Sequence, residues 1–342
     1  MRRPPIDRRA LGRSAAWGLA IAAVVQPSAS LAAWIDWRAD LISHLREPAL
    51  GASLIASAAM VRVRRWVALG LLVLALVQGW GLARTGWPNP TRPDPGSTAR
   101  LRILMANVLV DNPDHDDLIR LIRRERPDVV GLVEVSRAWL AALGPIWAEY
   151  PARCELPDDD EGRGLALWFR SPPASAEVVR PLAPGGNPAI HARVDFAGEV
   201  RDLWLVHNVS PLDRPGAMPL GAELAGLAAR VRRDGGSTVV VGDLNCTDGS
   251  PFFGRFLRDS GLRDSRIGFG RQASWPAWSP YRIAIDHAFL SPDLAVDRRR
   301  IGPGIGSDHF PLILDLAPAA PAASPSAKDA AHASQPSTPP GS

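Results

Sequence analysis

Several short polar clusters, each closing or opening an apolar run, carry the residue types that hydrolytic chemistry needs. The most informative is Val239–Asn245 (VVVGDLN), where an apolar run ends in Gly and then offers Asp243 and Asn245 two positions apart. On an extended chain residues i and i+2 point the same way, so both can face one ligand. A carboxylate acceptor and an amide suit a nucleophilic water and a phosphoryl oxygen respectively. An Asx-turn after a strand is the plain alternative. Gly306–Pro311 (GSDHFP) sets Asp308 beside His309 ahead of another apolar run, and an imidazole near neutral pKa is a natural proton acceptor. Asp286 lies in an otherwise apolar segment, where a buried carboxylate needs a partner; the N–H of His309 would make an orienter–base pair. Glu134 interrupts Val129–Val135 (VVGLVEV), and a carboxylate inside an apolar strand is costly unless it is paired or holds a hard cation. Asn107, in MAN, and His207, closing LWLVH, are weaker signals; a turn asparagine and a satisfied polar strand end are their alternatives.

The elements that must position these residues are strands. Leu101–Leu104 with Val108–Val110 predicts a strand broken at Ala106–Asn107, and Val129–Val135 is apolar enough to be central in a sheet. Further strands are expected at Leu165–Phe169, Ile190–Phe196, Leu203–His207, Thr238–Val241, Ala284–Leu290 and Pro311–Leu316. Asp116–Arg126 reads as an amphipathic helix, acidic at its start and basic at its end, and Glu223–Arg233 as a second helix. Many strands with few helices imply an α+β fold, a two-sheet β-sandwich flanked by helices.

Taken in order, MANV, RPDVVGLVEV, GLALWFR, LVHNVSP, VVVGDLN, IDHAFLS and GSDHFP make the segment 99–318 resemble the endonuclease/exonuclease/phosphatase superfamily, in its bacterial membrane-anchored form. The resemblance implies Glu134 as the principal Mg²⁺ ligand, with Asn107 beside it and Asp308 supporting the metal and phosphate region. It further implies that Asp243 positions or helps activate the attacking water, that Asn245 binds phosphate, and that His309 is the base paired with Asp286. His207 would stabilise the transferring phosphoryl group. Mg²⁺ suits an all-oxygen donor set, with Mn²⁺ the alternative. Two departures stand out: Leu109 where many nuclease members are acidic, and Val133 where many relatives have Gln. Calcineurin-like metallophosphatases are set aside, because GDLN leads into Cys246 and no Asp-x-His precedes it. A non-catalytic, membrane-tethered binding module on the same scaffold is the competing reading. Among enzymes, the nuclease competes with the lipid or small-molecule phosphoesterase.

Residues 1–88 read as a membrane anchor with two or three transmembrane helices, from the apolar runs Ala15–Trp34, Ala49–Val61 and Trp66–Ala83. Arg2, Arg3, Arg8, Arg9 and Arg13 precede the first run, and Arg62, Arg64 and Arg65 separate the second from the third. By the positive-inside rule both stretches are cytoplasmic, so three crossings of the inner membrane leave the catalytic part on the periplasmic side. A cleaved export signal ending near Ala33 is the rival reading and would return that part to the cytoplasm. Residues 89–98 form a Pro-rich linker, and residues 319–342 a disordered Ala/Pro/Ser tail. The net charge of +4 comes almost wholly from Arg, and no long basic-aromatic stretch indicates a dedicated nucleic-acid partner. Arg123–Arg124 and Arg298–Arg300 are expected to be solvated faces. The expected partners are therefore a membrane and a phosphoester substrate, a lipid-linked one among the candidates. Cys154 and Cys246 lack zinc spacing and read as two unrelated thiols, although an oxidising compartment would allow them to pair.

Overall fold

The computed structural model describes residues 8–212 and 219–321; the expected tail from residue 322 onward and Arg2 and Arg3 lie outside the described residues. Four helices come first: α1 (Arg8–Ala32), α2 (Trp37–Ser43), α3 (Arg46–Met60) and α4 (Arg65–Ala83). Ala16, Ala20 and Ala23 of α1 meet Ala56 and Met60 of α3 and Ala68 and Leu71 of α4, small side chains that let three helices approach closely. A polar seam crosses this bundle: Ser53 donates to Gln78, Gln78 to Gln26, and Gln26 to the Ser43 carbonyl. The outer faces remain apolar, with Leu76 64% and Val77 65% exposed. Two stretches of 22 residues, Leu11–Ala32 and Arg65–Gly86, are long and apolar enough to cross a membrane. α3 has 15 residues, so it spans only about 22 Å at 1.5 Å per residue. The short α2 is started by Asp36, whose carboxylate accepts from the Arg38 N–H at 2.8 Å.

The rest of the chain alternates strands and helices: β1 (Leu101–Asn107), α5 (His115–Glu125), β2 (Val129–Val133), α6 (Arg137–Ala142), β3 (Ala152–Leu156), β4 (Leu165–Phe169), β5 (Ser175–Val179), β6 (Ala189–Phe196), β7 (Glu199–His207), α7 (Pro219–Asp234), β8 (Thr238–Asp243), α8 (Pro251–Ser260), β9 (Arg263–Asp264), β10 (Asp286–Leu290), β11 (Leu294–Ile301) and β12 (Leu312–Pro318). They form two six-stranded mixed sheets, ordered β11-β12-β1-β2-β4-β3 and β5-β6-β7-β8-β10-β9. The sheets pack face to face. Ile103 and Met105 of β1 point into the shared core with Leu205 and Val241 of the other sheet, while Leu104 and Ala106 point outward beneath α5. Central strands buried on both faces explain the unbroken apolar runs. α7 and α8 cover the outer face of the second sheet, around Trp204, Val240 and Phe289. The expected α+β sandwich is what the chain forms.

Several boundaries differ from the sequence reading. β1 runs unbroken through Ala106 and Asn107, and the chain leaves the sheet at Val108. Glu134 stands just beyond β2 and not inside it. The edge strands β3 and β5 escaped notice because only one face of each is covered, as did β11, whose sequence LAVDRRRI is strongly charged. Strand alternation there exposes Arg298 and Arg300 but buries Arg299, which is not a solvated residue. Both thiols are free, Cys154 on β3 of one sheet and Cys246 buried beyond β8 of the other.

Candidate active site

Parallel pairing at the centre of each sheet gathers the polar clusters on one rim. β1 and β2 are parallel with Asn107 opposite Val133, so Asn107 and Glu134 leave the first sheet together. β7 and β8 repeat this in the second sheet with His207 opposite Asp243, and the antiparallel β10 begins there, Asp286 opposite Asp243. His309 precedes β12, the antiparallel neighbour of β1, and so arrives at the same rim. Gly242 makes the approach of β7 and β8 possible: a Cβ there would lie 1.8 Å from the Val206 carbonyl oxygen.

The resulting cluster is tightly bonded. Asn107 Nδ2 donates to Glu134 Oε1 at 2.6 Å and to Asp243 Oδ2 at 3.2 Å. His309 sets Nδ1 2.8 Å from Asp286 Oδ2, and its Nε2 lies 3.6 Å from Asp243 Oδ2. His207 Nε2 is 3.8 Å from Glu134 Oε1. The plain reading of Asp243 and Asn245 is also realised: the Asn245 N–H donates to Asp243 Oδ1 at 2.8 Å in an Asx-turn, and Asn245 is left-handed at φ 51°. The two side chains are therefore brought to one cleft by a turn and not by an extended strand. One N–H of the Asn245 amide goes to the Asn208 carbonyl. Asp308 accepts from the Trp275 indole at 2.9 Å. Glu134, His207, Asp243, Asn245, Asp308 and His309 line a cleft of about 520 Å³, with Asn107 and Asp286 behind them. Three lining residues, Leu109, Glu134 and Asn245, have φ near 60°, a conformation that costs roughly 1–2 kcal/mol for a residue other than glycine. Such strain persists where the surroundings over-determine it, which is common at functional sites.

Burial dominates the electrostatics. It raises the Glu134 carboxyl above its ordinary range, helped by repulsion from Asp308 and opposed by the Asn107 hydrogen bond. Burial and the Asp286 charge push Asp243 up to about 6. For His309 burial works against the charge, but Asp286 and Asp243 outweigh it and raise the imidazole to about 10; Asp286 is held below its ordinary value although burial opposes that. Among the described residues the ion-pair partners of Glu134 and Asp243 are the imidazoles of His207 and His309, with no Arg or Lys within reach. A carboxylate excess of this kind fits a hard divalent cation held through oxygen, and Glu134 and Asp308 are cleft-lining carboxylates that could supply it. Asn107 turns Nδ2 towards Glu134 while its Oδ1 accepts from the Leu109 N–H at 3.1 Å, so it orients that carboxylate; rotating the amide would offer oxygen instead. The ligand atoms of Asp243, Asp286 and His309 also lie within 4.8 Å of one another. Within that trio His309 Nδ1 and Asp286 Oδ2 are hydrogen-bonded to each other, and Asp243 stands 3.6 Å from His309 Nε2.

Some neighbours were invisible in the sequence. Ser307 Oγ donates to the Asn107 carbonyl at 2.8 Å and accepts from the His309 N–H at 3.0 Å, tying two distant segments together. It stood in GSDHFP beside the residues singled out. Asn187 Nδ2 donates to the His207 carbonyl, and no pattern marked it. Leu41 of α2 and His44 and Leu45 just beyond it line the same cleft, far from its carboxylates in the chain.

The profile of the Endonuclease/Exonuclease/phosphatase family matches residues 106–309, more than half of the chain. No curated protein gives a significant sequence match. The fold is similar to the catalytic domain of human Nocturnin with bound sulfate (17% identity, TM-score 0.54, covering 67% of this chain and 97% of that one). It is also similar to Danio rerio TDP2 complexed with a single-strand DNA product (20%, 0.52, 64% and 98%). A third likeness is to an endonuclease/exonuclease/phosphatase from Bacteroides vulgatus (19%, 0.52, 64% and 99%). With its polar rim assembled from the strand ends of two sheets, the chain belongs to the endonuclease/exonuclease/phosphatase family.

Proposed function

We propose that the protein is a membrane-anchored, Mg²⁺-dependent phosphoester hydrolase, with Mn²⁺ as an alternative ion. The observation that carries this reading is the convergence of Asn107, Glu134, His207, Asp243, Asp286 and His309, from separate strand ends, on one cleft. Glu134 and Asp308 would hold the cation, with Asn107 fixing the Glu134 carboxylate. When bound, Mg²⁺ supplies charge stabilisation to the phosphoryl transition state and the leaving oxygen.

The chain's own groups do the rest. Asp286 fixes the His309 ring through Nδ1, leaving Nε2 beside Asp243. The adjacent Asp243 and His309 form the pair that receives the proton of the attacking water. Asn245 has a second amide N–H to give a phosphoryl oxygen, and His207 faces the same space beside Glu134. The Arg-bearing turn between α3 and α4 is at the far end of the bundle from the strand-rich part. This supports a cytoplasmic location for Arg62, Arg64 and Arg65 and a periplasmic one for the cleft. The full-length protein in detergent is expected to turn over bis(p-nitrophenyl) phosphate only with Mg²⁺ or Mn²⁺, and to lose that turnover in Glu134→Ala. Metal-independent turnover, or full activity in the variant, would sink the reading.

A further inference from the structure

The lining of the cleft is of two chemical kinds. One is the rim of carboxylates and imidazoles described above. The other is apolar: Leu109, Val209, Leu212 and Ile283 together with Leu41 of α2 and Leu45 of the α2–α3 connection. Leu45 is 45% exposed and Leu212 58%, so the apolar lining continues to the open mouth. Ile35, in the turn between α1 and α2, is 86% exposed.

That connection is clamped to the strand-rich part. Arg46 donates to the Asp248 carboxylate and carbonyl, His44 Nδ1 lies 3.0 Å from the Thr247 hydroxyl, and Glu47 pairs with Arg271. Trp34, at the end of α1, packs edge-on against Phe252. The Thr85 carbonyl, just past α4, accepts from the N–H groups of Gly268 and Gly270. The ends of α1 and α4 and the start of α3 thus meet the catalytic part at one level. With α1 and α4 as membrane spans, the cleft would open in the layer where they leave the bilayer, and these bonds would hold it there.

The charge of the lining discriminates between substrates. Asp160, Glu161 and Asp308 stand around the mouth, and Arg163 is the one Arg or Lys among the described lining residues. A nucleic acid, with a phosphate at every step, needs a basic track to follow and would meet carboxylates here. A single phosphoester carrying a long apolar chain meets complementary surface in both kinds of lining. His44, whose buried Nε2 has no hydrogen-bond partner, is also among the lining residues and adds one polar group for such a head group.

We propose that the substrate is a lipid phosphoester taken from the membrane, its phosphate against the Glu134–His309 rim and its chain along Leu41, Leu45 and Leu212. This rests on the hydrolase reading above. The test uses the full-length protein in phosphatidylcholine proteoliposomes with Mg²⁺. Straight-chain alkyl phosphates are titrated as inhibitors of bis(p-nitrophenyl) phosphate turnover, and inhibition is expected to strengthen roughly three- to fourfold per methylene until the wall is covered. Phosphatidylglycerol and a polyprenyl diphosphate in the vesicles are then compared with their short-chain, water-soluble counterparts. Leu45→Asp is expected to raise the KM for the long-chain substrate, lowering the long-to-short preference roughly tenfold. A flat chain-length series, an unchanged preference in Leu45→Asp, or an oligonucleotide turned over in preference to both lipids would overturn the inference and leave the hydrolase reading standing. Absence of turnover of bis(p-nitrophenyl) phosphate itself would instead remove the hydrolase reading, and this inference with it.

Discussion

Two buried charged clusters sit in the same sandwich and behave oppositely. Around Asp264 the charges are matched: Arg266 grips the carboxylate with contacts of 2.7, 3.0 and 3.2 Å, and Asp248 lies 3.8 Å from the same guanidinium. Burial would raise Asp264, yet Arg266 holds it down to about 2. Around the buried Asp243 and the partly buried Glu134 no Arg or Lys arrives, and both carboxyls are driven up, burial being the largest cause. The difference shows what a functional cluster gives up: its countercharge is left to an imidazole pair and to whatever binds. The matched cluster has a mechanical use, because Asp248 links Arg266 to Arg46 at the start of α3.

Substitutions can break this contrast. Asp264→Ala should destabilise the protein by roughly 3–5 kcal/mol, because it leaves Arg266 buried with only a distant partner; a denaturant midpoint close to wild type would contradict this. Glu134→Gln should do the reverse. It should cut kcat by roughly 10²–10³-fold, while the midpoint in EDTA stays level or rises as a buried charge is removed. A large drop in that midpoint would mean Glu134 is structural.

Acid separates the clusters further. The buried His287, whose Nε2 lies 2.9 Å from the Cys246 carbonyl, is pushed down to about 4 by burial and by Arg266. Its unfolded value is near 6.5, so the unfolded chain binds the extra proton. The stability it contributes is complete above pH 6.5 and declines as pH falls towards about 4, by on the order of 3 kcal/mol. His287→Gln, which keeps a donor for the carbonyl, should flatten that decline in urea titrations; an unaltered decline would place the acid sensitivity elsewhere. The smallest expected effect is ligation. Mg²⁺ at about 100 times its Kd should stabilise the wild type by about 2–3 kcal/mol and leave Glu134→Gln unmoved. An equal shift in both would locate the cation away from Glu134.

The sandwich was legible because its central strands are buried on both faces, which writes long apolar runs into VVGLV and TVVVGD. Edge strands such as SAEVV lack that signature, and LAVDRRRI hides a buried Arg299 behind two exposed neighbours. Every polar residue singled out in the sequence reached the one rim, since each stood at an end of a strongly apolar strand. Their bonding was legible only in part, as in the pairing of His309 with Asp286. The Asx-turn of Asp243 and Asn245 stood among the alternatives, but that the turn forms, and that Asn107 offers Glu134 its nitrogen, depends on backbone angles that residue types do not specify.

The sequence by itself determined the layers, the strand ends that carry chemistry, and two helices apolar enough for a bilayer, because hydrophobic period and run length are local properties. Only the tertiary structure decided that Leu41, His44 and Leu45 face Asp243 and His309 across one cleft. That juxtaposition joins segments about two hundred residues apart, and it follows from how the helical bundle docks on the sheets, through contacts such as Arg46 to Asp248 that no local pattern encodes.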